Sequence, residues 1–161
     1  MRATAPSKPV WKFRERRRSR AFGPRRLWGA VTLVFLAAPL FAADPADAIA
    51  ELASALSQNN SVDALQVFDS KMEGYGSIEN NIEALVSQTD ILCAIDVVEE
   101  KDVSGGRELD VDWYMQLKSQ APNGPTERRR ERIILTMKLN RGKWKITSLS
   151  SQKIILPITV R

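Results

Sequence analysis

Between residues 45 and 88 apolar side chains return every three or four positions; from Thr89 onward they return every second position. The first spacing is that of helices with one buried stripe, the second that of strands with one buried face. Ile49, Leu52, Ala53 and Leu56 make the first stripe. Asp44 stands where a cap accepts from free amides, Pro45 where a missing N–H costs nothing, and Asp47 near the positive helix end. Asn59-Asn60 stops that helix. Ser61 can cap a second helix with Leu65, Phe68 and Met72 on one face. Gly74-Tyr75-Gly76 breaks the pattern, and Ser77 can cap a third helix presenting Ile78, Ile82, Leu85 and Val86.

Ile91, Cys93, Ile95 and Val97 alternate along a first strand, and Ser104-Gly105-Gly106 turns it back. Residues 107–118 show the cleanest alternation: Leu109, Val111, Trp113, Met115 and Leu117 on one face, Glu108, Asp110, Asp112, Tyr114, Gln116 and Lys118 on the other. Pro122-Asn123-Gly124-Pro125 marks a loop. A third strand is predicted from Arg128 to Asn140, and Arg141-Gly142 turns it into a fourth from Lys143 to Lys153. Helices first and an antiparallel meander after them define an α+β domain whose helices cover one face of the sheet.

A hairpin symmetric about residue 123 sets Trp113 beside Ile133, Val111 beside Leu135 and Leu109 beside Met137, with Glu108 by Lys138 and Tyr114 by Arg132 on the reverse face. The next turn places Trp144 by Leu139 and Ile146 by Met137, and the same face continues through Ser148, Ser150 and Gln152. The inner face is then apolar at one end and polar at the other, where Arg129 and Glu131 also lie. Apolar walls with a few polar groups are the usual lining of small-ligand sites. The candidate ligand pocket is Trp113, Met115, Glu131, Ile133, Met137, Trp144, Ile146, Ser148 and Ser150. The alternative is that Trp113, Met137 and Trp144 simply fill a core.

Charge divides the chain. Residues 1–43 hold ten Lys/Arg against one acid, while residues 44–161 hold 14 against 18 acids, a net charge of −4. The basic pI of 9.6 therefore describes the leader and is no argument for nucleic acid. Arg16, Arg17, Arg18, Arg20, Arg25 and Arg26 precede the uncharged run Leu27–Phe41, and Ala42-Ala43 follows it. Positive, apolar, then small is the order of a secretory signal, here with an extended basic region and cleavage after Ala42 or Ala43. An uncleaved inner-membrane anchor is the alternative. Periplasmic or secreted localisation follows from the first reading, with the membrane met only through the leader.

The 118 residues beyond the leader suit one domain, which buries roughly two-thirds of its unfolded surface. Cys93 is the sole cysteine, so no internal disulfide forms, and it reads as a small buried hydrophobe. The chain contains no histidine, which excludes His-dependent triads and His–zinc sites. Asp110 and Asp112 lack further ligands at metal-loop spacing and read as solvated. No catalytic residue, metal or cofactor is assigned. Glu131, the one acid of the inner face, reads as a rim group paired with Arg129 or a helix residue; raised by burial it would instead be a general base. Arg130 and Arg132 answer the acidic outer face.

Phe68-Asp69, Tyr75-Gly76, Asp112-Trp113-Tyr114, Arg128-Arg129-Arg130-Glu131 and Trp144-Lys145-Ile146, set in this helix-then-meander order over about residues 44–156, resemble the nuclear transport factor 2-like superfamily. That superfamily includes SnoaL-like and ketosteroid isomerase-like domains, and the resemblance is nearest to its small secreted bacterial members. It implies a cone of curved sheet and helices, often dimeric through the outer sheet face. Its isomerases keep an Asp base and Tyr or acidic donors inside the cone. Here the matching inner face is apolar, and Asp112 and Tyr114 point outward, so no catalytic role carries over. Three readings follow: an exported non-catalytic domain for a small apolar ligand or a protein partner; an isomerase- or hydrolase-type enzyme with Glu131 as base; an assembly subunit forming a homodimer through the face of Asp110, Asp112, Tyr114 and Arg132.

Overall fold

The computed structural model describes residues 44–158. The signal segment expected over residues 1–43 lies outside the described residues.

Helix α1, Pro45–Ser57, starts as its sequence predicts, with the Asp44 carboxylate accepting the Ala46 N–H at 2.9 Å. It buries Ile49, Leu52 and Leu56, with Ala48 and Ala55 filling the same face. Helix α2 covers only Ser61–Gln66, and its cap is Asn60, not Ser61: Asn60 Oδ1 accepts from the Asp63 amide at 3.1 Å. It ends early because the chain turns alongside the last strand. Ile146 N–H donates to the Val67 carbonyl at 2.9 Å and Asp69 N–H to that of Ile146 at 2.8 Å, a single parallel bridge at Phe68. Phe68 is therefore buried from extended backbone, and Met72 sits in the following turn. Helix α3, Tyr75–Gln88, begins after Gly74, whose φ of +76° is left-handed backbone that suits glycine; Ser77 lies inside the helix.

Strands β1 (Thr89–Val103), β2 (Gly106–Ser119), β3 (Thr126–Asn140) and β4 (Lys143–Leu149) form one antiparallel sheet in that order. Odd positions of β2 face the helices as predicted: Leu109, Val111, Trp113, Met115 and Leu117 are all fully buried. The β2–β3 register is a correction. Trp113 faces Glu131, Val111 faces Ile133 and Leu109 faces Leu135, two residues away from the predicted pairing. A slip of two keeps every side chain on its face, so the alternation that fixes the face is blind to it. The loop decides the register: pairing closes at Lys118 opposite Thr126, and Ser119 N–H donates to the Pro125 carbonyl at 3.0 Å.

The last strand is the second correction. Met137 faces Ile146, yet Thr136 faces Ser148, so Thr147 is an extra residue, its hydroxyl donating to the Thr136 carbonyl at 3.2 Å. Such a bulge turns the following residues over. Ser148 and Ser150, expected beside Ile146, are exposed on the opposite face, while Leu149 takes the place opposite Leu135. The strand stops at Leu149 and does not reach Lys153. A single 3-10 turn, Lys153–Ile155, follows, with Ile154, Ile155 and Ile158 buried. Among the described residues the core is one cluster running from Ala48 to Ile158.

Candidate functional site

The predicted pocket residues divide between interior and surface. Trp113, Met115, Ile133, Met137 and Ile146 are fully buried in the cluster formed with Leu52, Leu56, Ile78, Ile82 and Leu85 of the helices. Glu131 is on the inner face, half-buried, at the polar end opposite Trp113. Trp144 is half-buried near the end of the β3–β4 hairpin, and Ser148 and Ser150 lie across the sheet from the rest. The structure therefore assembles the apolar wall of that pocket and removes its serines.

The polar end is held by Arg129. Its guanidinium donates Nε–H to Glu127 Oε1 at 2.7 Å and an Nη2 hydrogen to Oε2 at 3.1 Å, a two-point contact that keeps the Glu127 carboxyl below the usual range. Nη1 reaches the carbonyl of Ile154 at 3.0 Å and that of Leu156. Arg129 thus pairs with Glu127, not with Glu131, and fastens the C-terminal segment over this end of the sheet. Sequence reasoning missed that segment because its apolar residues, Ile154, Ile155 and Ile158, follow neither helical nor strand spacing.

On the outer face Arg130 Nε–H meets Asp112 Oδ1 at 2.9 Å and Arg132 Nε–H meets Asp110 Oδ1 at 2.7 Å. These hydrogen bonds hold both carboxyls below the ordinary aspartate range and raise both guanidiniums. Asp110 and Asp112, read from sequence as solvated, are therefore ion-paired. Leu92 and Ile134 remain 58% and 45% exposed on the same face. Among the described residues no cluster of His, Cys, Asp and Glu is arranged to hold a metal ion.

Among the described residues a groove of about 900 Å³ opens between α1, α2 and the β3–β4 hairpin. Ala48, Ala55, Val67 and Trp144 give it apolar surface. Asp47, Glu51, Ser54 and Gln58 line the α1 side, and Lys143 and Lys145 the hairpin side. The Lys145 ammonium is anchored on the Gln66 carbonyl. The volume falls in the range of small-molecule sites, but charged and polar residues outnumber the apolar ones along the lining. Of the predicted pocket residues only Trp144 lines it. The outward stripe of α1 was legible in the sequence, but nothing there places it opposite residues 143–145.

No protein-family model matches the chain, and no curated protein sequence does. Solved structures do resemble it. A conserved protein from Planctomyces limnophilus superimposes with a TM-score of 0.59 at 8% identity, covering 65% of this chain and 88% of that one. A candidate scytalone dehydratase from Novosphingobium aromaticivorans gives 0.58 at 11% identity, over 65% and 77%. A nuclear transport factor 2-like superfamily protein from Salmonella enterica gives 0.54 at 12%, over 71% and 89%. At such identities the likeness is one of fold: a nuclear transport factor 2-like arrangement of helices on a curved antiparallel sheet.

Proposed function

We propose that this nuclear transport factor 2-like domain is an exported, non-catalytic binding module, and that it takes its ligand in the groove between α1 and the β3–β4 hairpin. The observation that carries the proposal is the closed interior. The wall from Leu109 to Leu117 is fully buried against the helices, and the C-terminal segment is latched over its polar end. Recognition is thereby moved to the surface, where the groove offers Trp144 with acids on one side and lysines on the other. A compact apolar body with polar ends fits that lining, whether a small molecule or a side-chain cluster of a protein partner. Export rests on the order of charge and hydrophobicity in residues 16–43.

A thermal-shift screen of residues 44–161 against amphipathic metabolites tests the small-molecule form, with Trp144→Ala as control. Stabilisation that disappears in the variant supports the groove. Stabilisation untouched by Trp144→Ala, or none with any compound, counts against it.

Two other readings have narrower support. Self-association through the outer sheet face is favoured by exposed Leu92 and Ile134 beside the Arg–Asp pairs; light scattering that finds a monomer at high concentration removes it. An isomerase- or hydrolase-type enzyme rests on Glu131 alone, half-buried opposite Trp113. Any turnover that survives Glu131→Gln removes that reading.

A further inference from the structure

The end of the β3–β4 hairpin has an uneven charge distribution. Residues 44–132 carry eight Lys/Arg against 18 acids, whereas residues 133–158 carry five Lys and Arg and no acid at all. Four of those five, Lys138, Arg141, Lys143 and Lys145, lie within eight positions around one turn. None of them enters an ion pair among the described residues. Lys138 sits directly opposite Lys145, a cross-strand like-charge pair that works against the hairpin in isolation. Beside these cations Leu139 is 56% exposed, and Val62, 67% exposed, lines the same depression as Asn140 and Lys145.

We infer that this hairpin end is a docking surface for an anionic phospholipid bilayer. Phosphate headgroups would relieve the repulsion between Lys138 and Lys145, and Leu139, at the same turn, would enter the apolar boundary. A nucleic-acid backbone would satisfy the cations equally but leave the Leu139 side chain in water, which is why the bilayer is the better match. Asp69, Glu79 and Glu83 line the depression behind the hairpin, so contact is confined to the turn itself. Lys143 and Lys145 also line the groove, but the inference requires no ligand there.

The test is co-sedimentation of residues 44–161, which hold the cluster from Ala48 to Ile158, with phosphatidylcholine vesicles made with and without phosphatidylglycerol. Binding should require phosphatidylglycerol and weaken as salt rises. At about fivefold per cation, Arg141→Gln with Lys143→Gln should lower partitioning about 25-fold, with an unchanged melting temperature because both side chains are exposed. Leu139→Ser should lower it severalfold without altering the salt dependence. Equal binding to both vesicle types, or no change in the double variant, overturns the inference. So does displacement by duplex DNA at matched phosphate together with indifference to Leu139→Ser, which would mark a general polyanion site.

Discussion

The indole Nε1–H of Trp113 donates to the Sγ of Cys93 at 3.2 Å, from the second strand to the first. Trp113 is fully buried, and this bond gives its single polar hydrogen a partner. Burial raises the Cys93 thiol to about 12, with the indole contact opposing the shift. At pH 8 the thiolate fraction is then on the order of one part in ten thousand, and the thiolate is the reactive species. Cys93, expected from sequence to be buried, is only half-buried; native protein should therefore react with a thiol-specific disulfide reagent at pH 8 more slowly than the unfolded chain. Cys93→Ala strands the indole N–H and should cost about 1–3 kcal/mol in urea denaturation. Labelling of the native protein as fast as that of the unfolded chain would contradict the raised thiol.

Arg129 holds the C-terminal segment through the carbonyls of Ile154 and Leu156. Arg129→Ala leaves these acceptors and Glu127 without their donor, and hydrogen bonds to a charged group are worth about 1.5–3 kcal/mol each. The variant should lose about 3 kcal/mol and become sensitive to carboxypeptidase, while Arg129→Lys recovers part of both. An unchanged protease pattern would mean that the buried isoleucines hold the segment alone.

Gly106 opens β2 where a Cβ would stand 2.1 Å from the Met137 carbonyl oxygen, backbone that cannot swing aside. Gly106→Ala should destabilise by about 2 kcal/mol or more, the scale of overpacking in a closed site. Gly142, with open space around its Cβ position, is the useful contrast: its cost comes only from its φ of +81° and should be near 1 kcal/mol on substitution by Ala.

The pH dependence has a separate cause at each end. Asp110, Asp112 and Glu127 have carboxyls lowered by their arginine partners. Their contribution is complete above the unfolded carboxylate range, near pH ~4, and is lost as pH falls through the lower folded values. Asp110→Asn with Asp112→Asn should therefore flatten the acid side of a plot of melting temperature against pH. Cys93 acts in the opposite direction. Its raised folded value means that the unfolded chain ionises first, so stability falls from about pH 9 upward. Cys93→Ala should remove that component, and an identical alkaline limb in the variant would contradict the shift.

Alternation along residues 107–118 was enough to determine which side chains of β2 face the helices, and the cap at Asp44 was enough to start α1, whereas α3 begins at Tyr75, ahead of the expected cap Ser77. These are local properties, because a period of two or 3.6 is set by backbone geometry within a few residues. Tertiary structure decided what periodicity does not encode. The β2–β3 register moved by two because parity is unchanged by an even slip. Ser148 and Ser150 changed face because Thr147 bulges where β4 also meets the Val67–Asp69 segment. The C-terminal isoleucines joined the core by packing on it, with Arg129 bonding the carbonyls of Ile154 and Leu156. The groove at Trp144 exists because α1 and residues 143–145, nearly a hundred positions apart, fold onto neighbouring edges; such a juxtaposition depends on long-range packing and has no signature in either segment alone.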